Sequence, residues 1–221
     1  YANTPKYFRE KEIESGERGQ GDQFELISII EAQSIIMCDK EINEIVMAAP
    51  KGTLRFQFKD DDLVPIVSFV GMTLRDMKLV YADEKRADFL FPFTDEEYDS
   101  LAEKFGKFCV IVNGKELERH INCYCEKNEW DYIFDRVEYC EQNRLDRMQA
   151  FSKSAKERFL YKNKDLAYQR EYRLVIAHEM PTDHFVRIGK LDNTKILSTE
   201  DIRGFKFSIG YISHQIDEEM I

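Results

Sequence analysis

Long apolar runs are absent from this chain. No stretch approaches the roughly 18 consecutive hydrophobic residues that a bilayer-spanning helix requires, so no membrane association is expected. Paired Cys-x-x-Cys spacing is absent too: the five cysteines (Cys38, Cys109, Cys123, Cys125 and Cys140) are an odd number, which indicates neither a disulfide framework nor a zinc knuckle. Histidine is scarce, with only four in the sequence and no ligand spacing among them, so no metal site is expected. The opening Tyr1-Ala2-Asn3-Thr4-Pro5-Lys6 lacks the pattern of a signal peptide, and with unpaired thiols it points to a soluble protein in a reducing cytoplasm. Neither a Walker phosphate loop nor a Gly-x-Ser-x-Gly elbow around Ser68 is present.

What is present is ample core material and an acidic balance. The 221 residues are 43% hydrophobic and 13% aromatic, enough to fold as a single domain spanning 1–221. A formal net charge of -10 repels a phosphate backbone unless cations are gathered on one face, so nucleic acid is not the expected partner. The first 25 residues, with Gly16, Gly19 and Gly21, read as a structured loop. Strands are expected within Phe24–Met37, at Thr53–Phe58, Val64–Val70, Phe108–Val112, Tyr132–Tyr139, Tyr172–Ala177, Phe185–Gly189 and Gly204–Ile212. Helices are expected from the Thr94…Glu97 capping box to Gly106, over Glu116–Lys127, and near Arg144–Phe159. Strand-rich order without a regular βαβ repeat predicts an α+β fold around a mixed or mainly antiparallel sheet with about three helices.

Charge chemistry concentrates in two places. In Tyr168-Gln169-Arg170-Glu171-Tyr172-Arg173, an extended backbone would put Gln169, Glu171 and Arg173 on one face, with Lys162 shortly before them. Earlier, Arg9 and the segment Arg18-Gly19-Gln20-Gly21-Asp22-Gln23-Phe24-Glu25 combine guanidinium, carboxylate and glycine as anion-cradling loops do. The first cluster reads equally as an ion-pair network that closes a sheet end, and the second as a solvated charged loop.

These residues carry a resemblance. Tyr7-Phe8-Arg9, the Arg18…Gly21-Asp22…Glu25 element, Phe105 to Val112, Val137-x-Tyr139 and Phe159-x-Tyr161-Lys162 through Arg173 are similar to a broad group of uncharacterised bacterial proteins. That group shares an early Arg…Gly-Asp…Glu element and a late Lys…Tyr-x-x-Gln-x-Glu-x-Arg element, and the similarity covers most of the chain. The order Arg9 or Arg18, then Ser68, then Gln169-Arg170-Glu171 also resembles ADP-ribosyltransferases. That resemblance implies NAD as cofactor: an arginine would hold its pyrophosphate. Ser68 would support the nicotinamide ribose, Glu171 would stabilise the oxocarbenium-like transition state, and Gln169 would orient the acceptor. It would make the protein an NAD-consuming effector, a toxin or a phage-defence factor. The alternative is a non-catalytic recognition domain in which Arg9, Arg18, Asp22, Glu25, Lys162, Tyr168 and Arg173 bind a small anionic ligand or nucleotide, or hold the fold together. A metal-dependent nuclease using Asp22, Glu25 and Glu171 with Lys162 is disfavoured by the acidic balance.

Overall fold

A threonine followed by a proline starts the first element. In the structure, a computed structural model that describes residues 2–16, 20–153, 155–180 and 182–210, Thr4 Oγ1 accepts the Tyr7 N–H at 3.2 Å, and Pro5 occupies the first helical turn, where its missing N–H costs nothing. Helix α1 (Pro5–Ser15) therefore stands where the glycine content pointed to a loop. Gly16 ends it in the left-handed conformation at φ 69°.

Strands β1 (Ser28–Ala32), β2 (Ile35–Cys38), β3 (Ile45–Ala49), β4 (Gly52–Phe56), β5 (Ile66–Val70), β6 (Lys78–Ala82) and β7 (Arg86–Leu90) follow. Then come α2 (Asp95–Phe105), β8 (Phe108–Ile111), α3 (Gly114–Lys127), β9 (Tyr132–Arg136), β10 (Glu138–Cys140) and α4 (Leu145–Ser152). The described chain closes with β11 (Tyr161–Asn163), β12 (Glu171–Ile176), β13 (Lys195–Ser198), α5 (Thr199–Arg203) and β14 (Lys206–Gly210). The class is mixed α and β with small, mainly antiparallel sheets, as the patterning predicts. The described residues hold four helices of eight residues or more, against about three expected.

The described residues divide into two compact units, one formed by those within 2–70 and 118–189 and the other by those within 71–117 and 190–210. In the first, β12 is the middle strand of a three-stranded antiparallel sheet, flanked by β5 and β9. Its apolar half, Leu174-Val175-Ile176, is buried, and Val175 joins Leu26, Ile66, Phe151 and Phe159 in the core. Burying side chains of this size stabilises by about 1.5–3 kcal/mol each. The other pairings in this unit are short: β1 with β4 and β2 with β3, both antiparallel, and β10 with β11, parallel. At Gly21 the chain runs directly against the α1 backbone, where Asp22 N–H donates to the Phe8 carbonyl at 3.0 Å.

In the second unit, β14, β7 and β6 form one antiparallel sheet and β13 pairs with β8. Helix α2 carries the expected capping box, with Glu97 N–H donating to Thr94 Oγ1 and Glu97 accepting the Thr94 N–H.

Four expected elements are corrected. The Tyr132–Tyr139 strand breaks at Val137 into β9, which pairs with β12, and β10, which pairs with β11. The helix expected near Arg144–Phe159 stops at Ser152; Ala155 is extended, and a 3-10 turn over Lys156–Leu160 replaces the rest, turning Arg158 onto Asp61. Phe185–Gly189 joins no sheet: Ile188 N–H folds back on the Val186 carbonyl, and the Ile188 carbonyl is taken by His120. The Phe24–Met37 run breaks into β1 and β2, which pair with different partners. Of the last expected strand, Lys206–Gly210 is formed and residues 211–212 lie outside the described residues.

Candidate functional site

Strand pairing places the polar residues. Ser68 on β5 is the register partner of Arg173 on β12, and its hydroxyl reaches diagonally to donate to Glu171 Oε1 at 2.6 Å. Arg173 Nε donates to the same oxygen at 2.5 Å, while its two terminal nitrogens grip Glu25 bidentately at 2.7 and 2.8 Å. The remaining Arg173 donor capacity goes to the Phe159 carbonyl, 2.7 Å away. Lys162 on β11 donates to Glu171 Oε2 and to Gln169 Oε1, both at 2.8 Å.

Gln169 does not belong to the strand. It ends a 3-10 turn over Lys164–Gln169, and Arg170 follows in the left-handed region at φ 46°, so extended alternation fails at this point. The turn still delivers Gln169 and Glu171 to one ammonium. Tyr168 stands half-buried on the same turn.

The early cluster arrives from α1 and the segment after it. Arg9 donates to the Glu25 backbone carbonyl at 2.8 Å and pairs with Asp62. Asp22 Oδ1 accepts the Phe24 N–H at 2.9 Å, a local turn that presents Glu25 to Arg173. Arg18 lies outside the described residues. The structure thus unites Arg9, Glu25, Ser68, Lys162, Gln169, Glu171 and Arg173 in one connected cluster, with Asp22 close enough to feel the charges of Glu25, Lys162 and Arg173.

The cluster is buried and charge-paired. Glu171 is 4% exposed, Glu25 2% and Arg173 1%; Ser68 alone of the network's side chains is solvent-exposed. Burial by itself would push the Glu171 carboxyl up, but Arg173 and Lys162 outweigh it and hold the group well below the usual glutamate range. At neutral pH Glu171 is therefore an anion, and the stability it confers is present above the unfolded glutamate pKa of 4.5 and is lost progressively as pH falls from there toward the depressed folded value.

Asp22 behaves oppositely. Burial, reinforced by Glu25, raises it from 3.8 to about 6 against the pull of Lys162 and Arg173. Its folded pKa lies above its unfolded one, so the folded state holds the proton more tightly, and stability falls as pH rises from about 4 to 6. Asp22→Asn keeps the acceptor for Phe24 and removes this cost. It is expected to raise stability at pH 7.5 by about 1–3 kcal/mol and flatten the pH 4–6 slope, measured by urea denaturation across pH.

Several participants lie outside the motifs read from sequence. Tyr139, quoted there only as part of a pattern, accepts the Glu171 N–H at 2.9 Å, and its phenol is raised above the ordinary range by burial and by Glu171. The Asp60-Asp61-Asp62 run supplies two partners: Asp62 for Arg9, and Asp61, held bidentately by Arg158 at 2.7 and 2.5 Å. Three consecutive acids beside two distant arginines was the available signal.

Comparison with protein-family descriptions, curated proteins and solved structures finds no match for this chain. The site therefore stands on its own geometry. Two open clefts lie on the first unit. One of about 630 Å³ is lined by Asp135, Arg136, Glu138, Tyr139, Glu157 and Tyr161 among others, and touches the network only through Tyr139. The other, of about 410 Å³, lies along α3. Glu171 lines neither. Among the described residues no group of three or more His, Cys, Asp or Glu is placed to hold a metal ion, and no helix is long and apolar enough to cross a membrane.

Proposed function

We propose that this is a ligand-recognition domain whose charged cluster is its scaffold rather than a catalytic centre. The observation that carries the reading is the saturation of Glu171: both oxygens are engaged, by Ser68 and Arg173 on one side and by Lys162 on the other, in a site closed to solvent around the carboxylate. A carboxylate held ionised by two cations is a poor proton acceptor, and one with no open face cannot approach a ribose. Arg9 is likewise committed, to the Glu25 carbonyl and Asp62, and is not presented to a pyrophosphate.

A second reading, an ADP-ribosyltransferase or NAD-hydrolysing effector of the toxin or phage-defence kind, is favoured by one contact. Ser68, exposed, bonds to Glu171 on the neighbouring strand, which is the serine-to-glutamate proximity that chemistry requires. It would need the Lys162 ammonium to swing away and admit NAD.

Incubating wild type and Glu171→Gln with NAD, with and without cell lysate as acceptor, separates the two. The expected outcome is no nicotinamide release by either protein and a lower melting temperature for the variant, which loses the anion between Arg173 and Lys162. Release by wild type that vanishes in a folded variant would establish the second reading.

A further inference from the structure

The cleft along α3 has a composition opposite to that of the whole protein. The chain carries a formal charge of -10, yet the lining of this cleft contains Arg119, Lys127 and Arg187 and no carboxylate. The helix creates the spacing: Arg119, Cys123 and Lys127 recur every fourth residue and so share a face, with His120, Tyr124 and Asn128 beside them. Glu118 and Glu126, on the same helix, do not line the cleft. Arg187 comes from the opposite wall, Arg187-Ile188-Gly189.

That wall is fixed in place. The Ile188 carbonyl lies 2.8 Å from His120 Nδ1, so Nδ1 carries the proton and donates to it, which leaves Nε2 to accept from the Arg119 guanidinium at 3.0 Å. A single imidazole thus ties the two walls together and aims Arg119. Gly189, at φ 87°, completes the turn over the imidazole. Asp183 pairs with Arg187 at 2.5 Å, but both side chains are exposed, and an exposed pair of this kind exchanges readily for a better anion.

We propose that this cleft binds a compact phosphate-bearing ligand of the di- or triphosphate class. Three cations line a cavity whose volume falls in the range of small-ligand sites, and Arg119, held by His120, is positioned before binding. Tyr124, lining the same cleft and packed edge-on against Trp130, offers a ring face for a base or other planar group attached to the phosphates. The proposal rests on the recognition reading only in naming its ligand; the cleft and the Glu171 cluster are separate sites.

Titration calorimetry of the full chain with inorganic pyrophosphate and with adenosine triphosphate tests it, alongside the double variant Arg119→Glu/Lys127→Glu and the milder Arg119→Gln. The expected results are saturable binding by wild type, weakening as salt is raised, and an affinity loss of about tenfold or more in the double variant, with a partial loss in Arg119→Gln. Tighter binding of the nucleotide than of pyrophosphate would assign Tyr124 to the base. Failure of wild type to bind either probe, unchanged affinity in both variants, or binding of single-stranded RNA without either small probe would overturn the proposal. Turnover of NAD in the earlier assay would remove the recognition reading and leave this site standing, whereas absence of anion binding with NAD inert would do the reverse.

Discussion

Arg173→Met is expected to lower the unfolding free energy by about 3–5 kcal/mol, the usual consequence of removing one member of a buried ion pair. Arg173 serves both Glu25 and Glu171, and it also caps the Phe159 carbonyl. Without it, Glu25 loses the bidentate partner of both its oxygens, and Asp22 loses a charge that opposes its elevated pKa. Methionine replaces the aliphatic stem but none of the donors. Against a typical total stability of about 5–15 kcal/mol, the variant is expected to melt roughly 10 °C lower or more. Adding Glu25→Gln should recover part of the loss, because it removes one of the stranded charges. Urea denaturation of the two single variants and the double would show sub-additivity of about 1–3 kcal/mol. Simple additivity would mean that the pair is not coupled and that the cluster is not a scaffold.

Gly21→Ala is expected to cost about 3 kcal/mol or more, at or beyond the upper end of overpacking effects. A methyl group there would fall on the Phe8 carbonyl oxygen, 2.5 Å from the Glu12 nitrogen and 2.9 Å from the Glu12 Cβ. Those are mostly backbone atoms of α1, fixed by the helix's own hydrogen bonds, so they cannot rotate aside as a side-chain tip would. Relief has to come from the segment itself, which would break the Asp22-to-Phe8 bond and the two contacts from Gln23 to the Glu12 carboxylate. Glu25 is held in place by that segment, so the injury reaches Arg173. Thermal denaturation of the variant checks this; a melting temperature within a degree or two of wild type would contradict the close approach.

Local signals were legible where a single residue decides a boundary. Thr94 with Glu97 started α2, Gly106 ended it, and the apolar runs Val64–Val70 and Leu174–Ala177 marked two strands, which the structure pairs side by side. The late cluster residues were legible as well, since Gln169, Glu171 and Arg173 lead directly into the apolar Leu174-Val175-Ile176, whereas Arg9 and Glu25 stand in a charged segment that reads as readily as a solvated loop. Less legible were the elements in which a long-range contact overrides local preference. Arg158 leaves the helical pattern because Asp61 holds its guanidinium, and Ile188 leaves the strand pattern because His120 takes its carbonyl.

The amino-acid sequence by itself determined the class, the existence of strands β5 and β12 and the identity of the charged residues, because periodicity, caps and polarity act over a few residues. Only the tertiary structure decided their role. Whether Glu171 is a reactive carboxylate or a buried anion depends on Arg173 and Lys162 reaching it and on water being excluded, and those are properties of segments up to 148 positions apart in the chain brought within hydrogen-bonding distance. In the same way, three cations dispersed through an acidic sequence became a single basic cleft only when α3 aligned two of them and the His120 imidazole tied the third one's segment alongside.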